Sequence, residues 1–238
     1  MNSSSRRHRT IGTGLAFVTF PLVFVFAFAV HPGLLHPRML SPQEIILRAH
    51  GDALLQFGHV LVLFDTALLI VVALHFITIL DRGGTARAGF LGGSLAILGA
   101  VLLAADKGAL CLTMSAFDTL PGREYSQVLP GALAMFDKAG WLVVLWGIVL
   151  LPIGFAVQAV ALLRTGSLPR WQAMLFLVGV LLVAVPDGLE IINLTASLLM
   201  AIAFIPYGMQ LIAARQRVIP LSPERSGSRG GFVSTGPT

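Results

Sequence analysis

A chain of 238 residues that is 56% hydrophobic and only 11% charged has less than half the charge of an ordinary globular chain, which carries about 25%. Its apolar residues fall in runs of about 16 to 25, long enough to cross a hydrocarbon core about 30 Å thick. This excludes a water-soluble fold and predicts an all-α, polytopic transmembrane bundle. The net charge of +5 does not point to nucleic acid, because the basic residues are scattered over short loops and a tail without interleaved aromatics.

In chain order, a basic cytoplasmic segment (1–10) with Arg6, Arg7 and Arg9 precedes an apolar run from Ile11 to Val30, the first expected span. Ala27-Phe28-Ala29 has the small-x-small form of a signal-peptidase site, so cleavage stays open as an alternative. A run of about 20 residues is long for a signal core and favours retention. Ser41-Pro42-Gln43-Glu44 is a capping box with proline at the first helical position, so an interfacial helix is expected there, feeding a second span over about 53–80. The third span is expected over about 88–112. A loop of about 25 residues follows, with Pro121-Gly122 and Pro130-Gly131 as turn signals. The fourth span is expected at about 140–163. The apolar stretch 171–212 is too long for one crossing and divides at Pro186-Asp187-Gly188 into spans of about 171–185 and 189–212. The six-helix domain thus covers 11–217, and 218–238 has the composition of a disordered cytoplasmic tail.

Basic residues favour the cytoplasmic side of a membrane. With both termini inside, the inner segments hold eleven of the sixteen bases: Arg6, Arg7, Arg9, Arg82, Arg87, Arg164, Arg170, Arg215, Arg217, Arg225 and Arg229. Eight of the eleven acids fall outside: Glu44, Asp52, Asp106, Asp118, Glu124, Asp137, Asp187 and Glu190. Trp141 and Tyr125 then fit an outer aromatic belt, and Trp171 and Tyr207 an inner one. A bacterial-type cytoplasmic (inner) membrane is the expected location, and the lipid bilayer the first partner.

Gly92, Ala96, Ala100, Ala104 and Gly108 recur every four residues along the third span, a small-residue stripe that lets neighbouring backbones approach closely. Asp65 lies about ten residues into the second span, near the bilayer midplane, where an acid costs about 2.5 to 3.5 kcal/mol. It reads either as a proton or cation site or as a neutral acid hydrogen-bonded to Asn193, Thr195 or Gln158. Asp52, Gln56 and His59 share one face of the same helix and form a candidate ion or solute pathway descending from outside. Asp106, Lys107, Asp187, Glu190 and Asn193 form a candidate outer polar cluster. Asp187 is expected to cap the sixth span with Glu190 beside it, and Lys107 to offer either acid a counter-charge.

Four histidines, His31, His36, His50 and His59, fall on the outer side at irregular spacings that match no helical metal-ligand pattern. His59 and His75 lie about 160° apart on one helix, so one haem cannot bridge them. A single cysteine, Cys111, excludes an internal disulfide and any cysteine-built zinc or iron–sulfur centre. No cofactor or resident metal is expected. Gly92-Gly93-Ser94-Leu95 lacks the second glycine of a G-x-S-G nucleophile motif, and no catalytic residues are assigned. Pro21 and Pro152 fall mid-span in the first and fourth helices, a faint sign of an inverted repeat. The leading expectation is a small transporter or ion- or proton-handling protein built around Asp65. The alternatives are a scaffold or accessory subunit, as a homo-oligomer or in a membrane complex, and an intramembrane enzyme acting on lipid or quinone.

Overall fold

A computed structural model of the chain describes residues 3–35, 40–136, 144–183 and 189–214, with side chains described over 8–35, 40–134, 149–183 and 189–214. Among these residues the protein is all-helical, with eight helices and no strand: α1 (Ser3–Ala29), α2 (Pro42–Ala49), α3 (Ala53–Arg82), α4 (Ala86–Phe117), α5 (Gly122–Phe136), α6 (Val144–Thr165), α7 (Arg170–Val183) and α8 (Glu190–Ala213). Four of them contain stretches long and apolar enough to cross a membrane: His8–Ala29, Ala53–Arg82, Ala86–Phe117 and Glu190–Ala213. Two shorter apolar helices, Val149–Thr165 and Arg170–Val183, occupy the positions of the expected fourth and fifth spans. The turn expected at 186–188 and the tail at 218–238 lie outside the described residues.

The capping box forms as its residue types require. The Ser41 hydroxyl accepts from the Glu44 N–H, and the Glu44 carboxylate accepts from the Ser41 N–H at 2.9 Å. The short helix that follows buries Ile45, Ile46 and Ala49 and stops at His50, before Gly51 turns the chain at φ +73°. The expected loop after the third span is corrected: α4 runs on to Phe117, and Gly122–Phe136 is helical. Pro121 stands just before that helix, where no N–H is needed, and Pro130 is tolerated inside it.

The apolar helices pack in a closed ring: α1 on α3, α3 on α4, α4 on α6, α6 on α7, α7 on α8, and α8 back on α1. The α4–α6 seam is the tightest. A Cβ on Gly92 would come within 2.8 Å of the Gly154 carbonyl oxygen, and one on Gly154 within 2.6 Å of the Gly92 carbonyl oxygen. The α1–α8 seam repeats the device, since a Cβ on Gly14 would lie 2.8 Å from the Gly208 carbonyl oxygen. With lipid tails as apolar as the side chains, such close backbone approach is what van der Waals attraction has to work with.

The ring's interior is filled by a phenylalanine layer from five helices. Phe17, Phe76, Phe155, Phe176 and Phe204 are all buried, with tilted or edge-on contacts of 4.7 to 5.9 Å between ring centroids. At one end of the ring the α3–α4 and α6–α7 turns meet, a Cβ on Gly83 falling 3.2 Å from the Ser167 hydroxyl. At the opposite end the α2–α3 junction meets the turn after α4, where the Gly51 N–H donates to Asp118 at 2.9 Å.

Candidate functional site

The buried stripe of α3 (Leu55, Gly58, Val62, Asp65, Thr66, Leu69, Val72, Ala73, Phe76 and Leu80) follows the three-and-four spacing of a helix face turned inward. Asp65 lies on it with 2% of its surface exposed. Both carboxyl oxygens are buried and neither has a hydrogen-bond partner among the described residues. The expected hydrogen bond from Asn193, Thr195 or Gln158 to Asp65 is absent among the described residues, the donors of all three being engaged elsewhere while the Gln158 side-chain oxygen is itself buried without a partner there. The Gln158 amide donates to the carbonyls of Ala73 (3.1 Å) and Gly89 (3.3 Å), tying α6 to both α3 and α4. Thr195 donates to the Ile191 carbonyl at 2.7 Å, and Asn193 reaches Glu190 at 3.5 Å. Even adjacent Thr66 spends its hydroxyl on the Leu63 carbonyl.

The direction in which Asp65 points follows from Phe76. Eleven residues are about three helical turns, so the two side chains share a face, displaced by roughly 16 Å along the axis. The Phe76 ring touches Phe17, Phe176 and Phe204 at the bundle's centre, and Asp65 faces the same interior nearer the opposite end. The same step along α8 leads from Phe204 to Asn193. Since α3 and α8 run in the same direction and Phe76 meets Phe204, Asn193 stands level with Asp65. Asn193 is 4% exposed and Ser197, one turn further, is fully buried, its hydroxyl donating to the Asn193 carbonyl at 2.8 Å.

Above this level sits a second polar group. Glu190 opens α8 and is 5% exposed; its carboxylate lies 3.5 Å from His31 Nδ1, just past α1. The His31 ring meets His59 of α3 edge-on at 6.2 Å. The cap position of α8 is held by Leu189 with no side-chain cap bond; Asp187, expected to cap this helix, lies outside the described residues. Glu190 in the first turn still faces the positive end of the helix dipole. Lys107 pairs with its neighbour Asp106 at 3.6 Å.

The three residues of the expected outer pathway divide among separate neighbourhoods. Asp52 caps α3, accepting from the N–H groups of Leu54 and Leu55 at 3.0 Å. Gln56 donates to Asp118, while His59 turns to His31. Asp118 is a residue that pattern reading passed over. It also binds His50 Nδ1 at 2.7 Å, and the His50 ring stacks on Tyr125 at 3.9 Å. Tyr125 is thereby buried, 5% exposed; burial, and then the nearby Asp118 carboxylate, pushes its phenol upward. A second overlooked pair, His75 and Tyr207, is joined by a 2.7 Å hydrogen bond on the far side of the phenylalanine layer.

Of the small-residue stripe, Gly92, Ala96 and Ala100 are buried, the first two against Gly154 of α6. Ala104 and Gly108 are half-buried, and a Cβ on Gly108 would meet only Leu63 of α3, at 3.9 Å. Among the described residues no three histidine, cysteine or acidic side chains gather as metal ligands do. The chain matches no protein-family model, no curated protein and no solved structure.

Proposed function

We propose that this is a six-span protein of a bacterial-type cytoplasmic membrane, both termini inside, that carries a proton or small cation across the bilayer by loading and unloading Asp65. The observation that carries this reading is an aspartate 2% exposed on a membrane-length helix, with neither carboxyl oxygen bonded among the described residues. A buried polar group without a partner costs about 1 to 3 kcal/mol. Intramembrane acids characteristically face a pathway and exchange protons there. A group kept only for packing would be replaced at no loss by leucine, whereas one that must bind and release a ligand has to leave its oxygens free.

The full-length protein in liposomes, with a pH or cation reporter inside, tests this. Wild-type protein is expected to dissipate an imposed proton or cation gradient, and Asp65→Asn to fall to the level of empty liposomes. Equal flux from Asp65→Asn and wild type removes the reading and leaves the scaffold alternative, which then requires a stoichiometric partner on gentle solubilisation.

A further inference from the structure

On one side of Asp65, about three turns along α3, the phenylalanine layer fills the interior between α1, α3, α7 and α8. Helix geometry sets Asn193 level with Asp65, Ser197 about one turn nearer the phenylalanine layer, and Glu190 about 5 Å of axial rise beyond Asn193 on the other side. Asn193 contacts Glu190 through its side-chain amide, and Glu190 contacts His31. From the ring's end inward these polar groups are therefore His31, Glu190 and Asn193, the last at the level of Asp65. Near that end His59 of α3 lies 6.2 Å from His31, and Asp106 and Lys107 of α4 pair with each other at 3.6 Å. Gly108, one residue on, is within reach of Leu63.

We propose that Glu190, positioned by His31 and Asn193, is the relay carboxyl through which protons pass between Asp65 and the Glu190 end of the ring, so that the ligand of the buried site is the proton. This rests on the function proposed for Asp65 and deepens it. One acid, with neither oxygen bonded among the described residues, suits a single proton better than a metal ion, which requires several converging oxygens. The step is a transfer of H⁺ without electrons. The O–H bond of protonated Glu190 breaks, the proton passes through intervening water to an Asp65 oxygen, and the Glu190 carboxylate left behind takes the next proton from the outer solution. Asp52 has no part in this route, since its carboxylate is committed to the first turn of α3.

The test is hydrogen–deuterium exchange of the Asp65 carboxyl, followed by infrared difference spectroscopy on the full-length protein in lipid. Asp65→Asn identifies the band by removing it. Expected results are exchange slowed about a hundredfold in Glu190→Gln, the scale of a lost proton-transfer group, partial recovery in Glu190→Asp, and a wild-type rate in Asp52→Asn. Wild-type exchange in Glu190→Gln, or slowing in Asp52→Asn as large as in Glu190→Gln, overturns the relay. Should Glu190→Gln fail to fold, His31→Gln is read in its place, and an unslowed rate there is equally fatal. Absence of any band removed by Asp65→Asn also overturns it. Liposome flux decides separately whether Asp65 supports transport, so a failed relay and a failed function are distinguishable.

Discussion

Asp65 and Glu44 are both acids in helices, and the difference between them is the distance over which each finds its partner. Glu44 bonds Ser41 three residues away, so both the contact and the helix start are legible in the sequence. The depth of Asp65 is equally legible, but its lack of a partner among the described residues depends on where Gln158, Asn193 and Thr195 send their hydrogen bonds, and no local spacing encodes that. Asp118 was illegible for the same reason: it gathers His50, Gly51 and Gln56 from 62 to 68 positions away, and nothing in its own neighbourhood marks it. Because both Asp65 oxygens are buried and unbonded among the described residues, Asp65→Leu is expected to stabilise the purified protein by about 1 to 3 kcal/mol while abolishing flux. The thermal unfolding midpoint in detergent checks this, and a lower midpoint would show that Asp65 has a stabilising partner.

Among the elements, the α4–α6 seam shows why a small-residue stripe can be found by counting but not assigned to a neighbour. The four-residue recurrence of Gly92, Ala96 and Ala100 marks a face, while the facing Gly154 lies in a helix whose own sequence carries no matching run. A methyl group at Gly154 would meet the Ala96 backbone and the Gly92 carbonyl, and backbone cannot swing aside. Gly154→Ala is expected to cost about 1 to 3 kcal/mol as an overpacked contact. Gly131→Ala, with nothing within 4 Å of the added carbon, serves as the neutral control. Equal unfolding midpoints for the two variants would show that α4 and α6 do not approach this closely. The α5 helix was concealed by its own prolines, since Pro121-Gly122 and Pro130-Gly131 read locally as turns. One of those prolines stands just before the helix, and the other is accommodated inside it.

For the molecule as a whole, the two ends of the ring differ in charge. Arg82, Arg87, Arg164 and Arg170 flank the two turns that meet near Gly83 and Ser167, and Asp52, Asp118 and Glu190 lie at the other end. The proposed orientation places the arginine end in the cytoplasm. In a Cys111→Ala background, cysteines introduced at Thr85 and Ser167 are expected to react with a membrane-impermeant maleimide only after lysis, and one at Thr119 in intact cells. Labelling of all three from one side would refute the topology.

The contact between α1 and α8 sets a condition on how the protein is made. The ribosome releases α1 before any other helix and α8 after all of them, yet the ring closes only where Gly14 meets Gly208. Until the last span arrives, the interior face of α3 stays open along the missing α8, and Asp65 lies in an unfinished furrow. Closure joins segments nearly 200 residues apart, a late and slow event in chain folding, so a chain stalled before α8 exposes its most costly side chain to the membrane's own quality control.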